Sequence, residues 1–217
     1  MMAHHFHTAE QPAQTEGRLI RWASYYDFTV NIVTLGQARR LRKMTVDQAL
    51  INSGDSVLDV GCGTGEVALQ AKTRAKQGKV YGIDPAPEMI AVAQRKAARR
   101  RLNIDFRVGV IEALPFPDTS LDVVTSSLMM HHLPENLKLR GLAEIYRVLK
   151  PGGRLLIADF MRPTGTFLNH LFIAFTRHQG LQSGIEDLQK LLKDTGFSKI
   201  TQSDVSVLMI GFVRAVK

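Results

Sequence analysis

Cysteine occurs once in this chain of 217 residues, at Cys62, so no intramolecular disulfide can form. Acidic residues are in deficit, 20 against 28 Lys and Arg, which gives a formal charge of +8. That imbalance disfavours cationic partners and favours anionic ones: nucleic acid, lipid head groups or an acidic substrate. No nucleic-acid-binding motif accompanies the charge, so nucleic acid is the weakest of the three. No hydrophobic run is long enough to span a bilayer; the longest lies near Phe167 to Phe175 and contains Asn169 and His170. The start, Met1 to His7, lacks the apolar core of a signal peptide. These absences predict a cytoplasmic protein whose membrane contact, if any, is peripheral. No cysteine or histidine cluster has metal-site spacing, so no metal is expected. The early histidines read as part of a flexible polar leader over residues 1–17.

What is present is an ordinary globular balance, 45% hydrophobic and 22% charged, over a length suited to one domain. The positive charge gathers in Arg39-Arg40-Leu41-Arg42-Lys43 and in Arg95-Lys96-Ala97-Ala98-Arg99-Arg100-Arg101. Each stretch reads as a solvated helix face or as a surface for an anionic partner. From Ser53 onward, short apolar runs alternate with longer helical patterns, the signature of a parallel sheet with crossover helices. Strands are predicted over Ser56–Val60, Lys79–Asp84, Ile104–Val108, Leu121–Ser126 and Gly153–Phe160, with a terminal pair over Phe197–Ser203 and Val205–Val216. Helices are predicted over Glu88–Arg101, Pro134–Leu149 and Ile185–Thr195. The expected domain covers 18–217. It includes a helical N-terminal cap over 18–52, carrying Trp22, Tyr25, Tyr26 and Phe28, and an acceptor-side insertion over 161–184.

The sharpest local signal is Val57-Leu58-Asp59-Val60-Gly61-Cys62-Gly63-Thr64-Gly65-Glu66. A buried strand runs into three closely spaced glycines and then into a helix. Glycine serves where a turn is tight and the backbone approaches a ligand, and the N–H groups of a helix start suit an electron-rich group. A dinucleotide fingerprint wants a third glycine where Glu66 stands, and a carboxylate there opposes pyrophosphate. The observed G-x-G-x-G suits a smaller ligand. Asp84 ends the second predicted strand and precedes Pro85; an acid there can accept both hydroxyls of a ribose. Asp59 can brace the loop or face a ligand ammonium.

With these residues the chain resembles the class I S-adenosylmethionine-dependent methyltransferases, particularly the ubiquinone/menaquinone C-methyltransferase branch. The likeness spans about Trp22 to Gly153. Beyond the glycine loop it rests on Tyr81-Gly82-Ile83-Asp84, Glu112-Ala113-Leu114-Pro115-Phe116-Pro117-Asp118, Leu121-Asp122-Val123-Val124 and Leu149-Lys150-Pro151-Gly152-Gly153, in that order. The resemblance implies a Rossmann-like α/β fold: a mostly parallel seven-stranded sheet, helices on both faces and an antiparallel C-terminal strand. It implies S-adenosyl-L-methionine as cofactor, with Asp59, Gly61, Cys62, Gly63, Thr64 and Gly65 around its methionine part. Asp84 would hold the ribose, Pro85 and Met89 would lie beside the adenine, and the backbone of Ile111 and Glu112 would meet the adenine edge. Ser126 would lie near the amino-acid end. Tyr26 matches a tyrosine that closes over the cofactor; a core tyrosine is the competing reading. One departure stands out: Val110 occupies a position where family members often carry an acid for the adenine amino group.

Methyl transfer from a sulfonium is a direct displacement, so the protein chiefly supplies alignment and a dry site. A base is needed only where the nucleophile holds its proton tightly. His131 and His132, just past the fourth predicted strand, are the candidates, since histidine is suited to base work near neutral pH. They can equally cap the next helix or pack beneath it. Asp159 on the fifth strand is a further candidate, or a strand-end brace. Cys62 reads as a small turn residue with nothing to make it a reactive thiolate. The segment holding Phe167, Leu171, Phe172 and Phe175, with His170 and His178 interspersed, suits a small lipid-like, quinone-like or aromatic acceptor. It also suits a membrane surface, a helix packed on the sheet, or a second subunit in a homodimer. Methyl transfer to a small apolar acceptor is thus the leading expectation. Protein or nucleic-acid methylation, or a cofactor-binding module without turnover, are the alternatives.

Overall fold

Val57–Val60 is buried at all four positions, which places this strand, β1, inside a sheet covered on both faces. The computed structural model describes residues 30–32, 34–161, 184–203 and 205–217. The other strands are β2 (Val80–Asp84), β3 (Asp105–Val108), β4 (Leu121–Ser127), β5 (Leu149–Phe160), β6 (Ser198–Gln202) and β7 (Ile210–Val216). They form one seven-stranded sheet in the order β3-β2-β1-β4-β5-β7-β6. Strands β1 to β5 pair in parallel, and β7 runs antiparallel to both β5 and β6. The expected Rossmann-like sheet, with its antiparallel C-terminal strand, is the one observed. Its strand order reverses at β1, which has β2 on one side and β4 on the other, so a crevice opens beyond the carboxyl ends there.

Among the described residues, five α-helices of full length flank the sheet: α1 (Ala38–Gln48), α2 (Glu66–Arg74), α3 (Pro87–Arg99), α4 (Glu135–Val148) and α5 (Ile185–Asp194). A short 3-10 helix spans Met130–His132. Successive strand residues point to opposite faces. Leu58, Val124, Leu155 and Ile157 pack with Leu142 and Ile145 of α4 and Leu188 and Leu192 of α5. Val57, Val123, Leu156 and Ala158 pack with Leu41 of α1, Leu69 of α2 and Ile90 of α3. The same alternation sends Asp59 and Thr125 to the α1–α3 face, and Ser126 and Asp159 to the α4–α5 face.

Strand β5 begins four residues earlier than its apolar run predicts. Leu149 pairs with Leu121, and a register shift between Leu121 and Val123 accommodates the Lys150-Pro151-Gly152-Gly153 stretch. Of the expected cap, α1 lies on the sheet face beside α2, with Leu41, Val46 and Ala49 buried. Trp22, Tyr25, Tyr26 and Phe28 lie outside the described residues, as do the leader and, within the insertion, His170, His178 and the phenylalanines between Met161 and Gly184. Among the described residues, no helix is long and apolar enough to cross a membrane. They also hold no group of three or more His, Cys, Asp or Glu placed to bind a metal ion.

Ile145 is fully buried between α4 and the sheet, whereas Leu139 on the same helix is exposed. Ile145→Ala is expected to lower unfolding stability by about 3 kcal/mol. Leu139→Ala is expected to change it by less than about 0.5 kcal/mol. Urea unfolding of the two variants checks the pair.

Candidate cofactor and acceptor site

Beyond Val60 the chain turns through Gly61, Gly63 and Gly65, all with positive φ, into α2. A side chain at these angles is strained. At Gly65 space forbids one as well, since a Cβ would lie 2.7 Å from Phe106 and 2.8 Å from Ala93. The sequence places the need for this glycine on ligand approach; the close packing of α3 and β3 on the loop is what demands it. The loop is tied to β2, for the Cys62 N–H donates to the Ile83 carbonyl at 2.9 Å. Burial pushes the Cys62 thiol well up, so it stays protonated and inert.

Asp84 ends β2, as expected, and the structure shows it bracing the glycine loop. Its Oδ2 accepts from the Gly63 N–H and its Oδ1 from the Ala86 N–H, each at 2.9 Å. Two amides thus fix the carboxylate and leave further lone pairs for hydroxyl donors. Burial pushes Asp84 up to about 6, against the pull of both amides.

Asp59 is 1% exposed. Its Oδ1 accepts from the Thr125 hydroxyl at 2.9 Å, while its Oδ2 has no hydrogen-bond partner. The Ala68 amide acts on the carboxylate without completing a well-formed bond. Burial pushes Asp59 up to about 7, although Thr125 and Ala68 oppose it. A buried carboxylate oxygen without a donor is costly, and a cation beside it would remove that cost. Thr125 was not legible as a partner from motif reasoning, but the register places it directly across from Asp59.

Asp59, Gly61, Cys62 and Thr64 line a narrow cleft with Leu41, Arg42, Val67 and Leu128. Its volume is about 40 Å³, room for a small polar group such as an ammonium beside Asp59. The contributions of Leu41, Arg42 and Leu128 had no signal in sequence beyond the place of Arg42 in a basic stretch. Glu66, which argued against pyrophosphate, is neutralised by Lys96 at 2.9 Å and Arg100 at 3.2 Å. Its charge therefore says less about the ligand than the sequence implies.

The far rim begins where the Gly109 N–H donates to the Asp84 carbonyl at 3.2 Å. Val110 to Ala113 then form a tight turn. The Ile111 side chain is buried against Gly141 of α4, where a Cβ would come within 2.6 Å of it, so only its backbone is available to a ligand. Glu112 carries a buried Oε2 without a partner. Arg147 of α4 clamps the rest of this motif, donating to the carbonyls of Phe116 at 2.9 Å and Leu114 at 3.0 Å and to Asp118 at 2.7 Å. Glu144 completes the clamp by accepting the Leu114 N–H at 2.8 Å. Pro85 is half-buried, and Met89 is buried with Ala86.

On the α4–α5 face the structure joins two residues that the sequence offers separately. His131 Nδ1 lies 2.6 Å from Asp159 Oδ1, and the His131 N–H donates to Oδ2 at 3.1 Å. Both side chains are buried. The His132 ring stands 3.9 Å from the His131 ring, and Phe160 meets His131 edge-on at 4.9 Å. A neutral imidazole facing a carboxylate through Nδ1 carries its hydrogen there, leaving Nε2 as proton acceptor. Ser126 is buried on this face with its Oγ unpartnered; the cleft is lined instead by Ser127, the last residue of β4, and by Leu128 just beyond it.

Because burial raises Asp59, the folded chain binds its proton more tightly than the unfolded chain does. Without cofactor, the contribution of Asp59 to stability is therefore full below about pH 4 and is lost as pH rises through about 7. Asp59→Asn is expected to stabilise the cofactor-free chain at pH 8 by on the order of 2 kcal/mol. The same substitution is expected to weaken cofactor binding and abolish its rise with pH. Urea unfolding and calorimetric titration at pH 5.5 and 8 read both effects.

Comparison with known proteins agrees with this geometry. A model of the methyltransferase domain matches residues 57–153. The demethylmenaquinone methyltransferase of Deinococcus radiodurans is 36% identical over 156 residues, covering 72% of this chain and 64% of that protein. The chain thus spans somewhat under two thirds of that relative's length. The demethylmenaquinone methyltransferase of Symbiobacterium thermophilum is 30% identical over 221 residues, covering 88% of this chain and 86% of that protein. Among solved structures, an S-adenosylmethionine-dependent methyltransferase from Aquifex aeolicus superposes with a TM-score of 0.70 at 22% identity, covering 87% of this chain and 97% of that one. That last likeness shows the fold alone. With the glycine loop, Asp84 and the ordered motifs in place, the chain belongs to the S-adenosylmethionine-dependent methyltransferases, in the branch of the ubiquinone/menaquinone C-methyltransferases.

Proposed function

We propose that this chain transfers the methyl group of S-adenosylmethionine directly to a small, apolar, aromatic acceptor of the quinol kind. The observation that carries this reading is the unpartnered carboxylate oxygen of Asp59, lying in the cleft behind the glycine loop. The bound cofactor supplies an electrophilic methyl on a sulfonium. Asp59 takes the ammonium of its amino-acid end, within the loop from Gly61 to Gly65. Asp84 takes the ribose, and the Ile111 and Glu112 backbone meets the adenine edge. Tyr26, as the residue that closes over the cofactor, completes this assignment from outside the described part. His131, with His132 beside it, serves as the acceptor-side base. A quinol ring fits that role because its nucleophile must shed a proton as it attacks. The names of the two relatives support a quinone-related acceptor.

A lipid-like acceptor also fits the outer surface. Arg39, Arg95, Arg99 and Arg101 are exposed, and none forms an ion pair among the described residues. They stand on α1 and at the end of α3, on one side of the sheet, suited to peripheral contact with an anionic bilayer.

Calorimetry with S-adenosylmethionine and, separately, NAD tests the cofactor: binding of the former alone is expected, weakened at least about tenfold by Asp84→Ala. Transfer of labelled methyl to 1,4-naphthohydroquinone tests the acceptor class. Binding without transfer to any quinol or phenol would leave a cofactor-binding module. Co-sedimentation with vesicles containing phosphatidylglycerol is expected at low salt and lost at high salt. Equal binding to neutral phosphatidylcholine vesicles would remove the bilayer assignment.

A further inference from the structure

Opposite charges line the cleft behind the glycine loop. Asp59 lies there on β1 with its Oδ2 unpartnered. Arg42 enters from α1, and it is the one Lys or Arg among the described residues that line the cleft. Glu66, the second acid there, already meets Lys96 at 2.9 Å and Arg100 at 3.2 Å, neither of which lines the cleft. Thr64 is engaged as well, since its hydroxyl accepts from Lys96 Nζ at 3.0 Å. Arg42 also differs from its neighbours in the basic stretch. Arg39, Arg40 and Lys43 are exposed, whereas Arg42 is half-buried. The helix that carries it is held in place. Leu41 is buried and lines the same cleft, Thr45 and Val46 are buried in the next turn, and Asp47 pairs with Arg74 of α2. A guanidinium already drawn from solvent loses less freedom on meeting an anion than one at an open surface.

We propose that Arg42 holds the carboxylate of the amino-acid end of S-adenosylmethionine while Asp59 takes its ammonium, so that α1 supplies half of the amino-acid site. This rests on the reading of Asp59 as the ammonium's partner. An amino-acid head carries both charges on one carbon, which suits an acid and a guanidinium lining one narrow space. At about 40 Å³ the cleft has room for about three groups the size of water. The head presents three polar atoms, a nitrogen and two oxygens. A planar guanidinium can meet both oxygens with parallel N–H donors, which an ammonium cannot.

The assignment gives Arg42 a task that the rest of its basic stretch does not share. Arg42 and Asp59 anchor one arm of the cofactor and Asp84 anchors the other, and the two arms meet at the sulfur. Alignment of the methyl is then set by groups of this chain. The carboxylate is common to the cofactor before and after it gives up its methyl, so Arg42 serves to hold and select the ligand rather than to sense the sulfur's charge.

Calorimetry on the full chain with two ligands tests this. Decarboxylated S-adenosylmethionine keeps the ammonium and the adenosyl part and lacks the carboxylate. The wild type is expected to bind S-adenosylmethionine at least about tenfold more tightly than the decarboxylated form, the effect of one charge-assisted pair. Arg42→Met is expected to remove that preference, weakening S-adenosylmethionine at least about tenfold and changing the decarboxylated form less than about twofold. Equal binding of the two ligands by the wild type overturns the proposal, and so does a preference that survives in Arg42→Met. An equal loss of both ligands in folded Arg42→Met overturns it too. Should that variant not fold, the milder Arg42→Gln is read by the same outcomes. Asp59→Asn tests the ammonium reading separately: both ligands are expected to weaken, because both carry the ammonium. Unchanged affinity there removes Asp59 as the ammonium's partner, while the wild-type preference and its loss in Arg42→Met still judge Arg42.

Discussion

Carboxylates held away from water at the carboxyl ends of central strands are the constraint on which the site depends. Asp59 ends β1, Asp84 ends β2 and Asp159 lies near the end of β5, and each is held by a different device. Asp84 takes two backbone amides, Asp159 takes an imidazole and two amides, and Asp59 takes one hydroxyl and leaves an oxygen unpartnered. Burying charge in this way costs stability, which a protein accepts where the charge must meet a ligand. The least satisfied of the three is Asp59, the acid proposed to meet the cofactor's ammonium.

The period-two alternation of the sheet separates two chemistries. Asp59 and Thr125 face the α1–α3 layer, beside the glycine loop, whereas Asp159 and its histidine face the α4–α5 layer. The two halves meet in the segment that leaves β4. The Met129 side chain packs over Gly61, filling the space a Cβ would need, and the helical turn bearing His131 follows at once. The glycine loop and the His131–Asp159 pair are thereby brought to one edge of the sheet by a few residues of chain.

Support for that edge comes from α4. Arg147 and Glu144 hold the Leu114-to-Asp118 segment by its backbone, and Gly141 makes room for Ile111. A loop pinned through carbonyls and an amide keeps its position with little regard to its side chains. Val110, where family members often carry an acid, lies in the turn just before this segment.

The glycine spacing, the acid after β2 and the order of apolar runs were enough to define the sheet and its crossover helices and to point to the cofactor. Those features are local: a turn with positive φ, a strand buried on both faces and a strand-end acid each leave a mark within a few neighbouring residues. The joining of His131 to Asp159 and of Asp59 to Thr125, the neutralisation of Glu66 by Lys96 and Arg100, and the packing reason for Gly65 left no such mark. Each depends on residues between 28 and 66 positions apart meeting across strands or between helices. Sequence by itself therefore determined which fold and which cofactor family this chain belongs to, because periodicity and turn chemistry are short-range. Which charges are paired, buried or left waiting for a ligand was decided only by the tertiary structure, because the environment of a charge is set by whatever the fold packs around it.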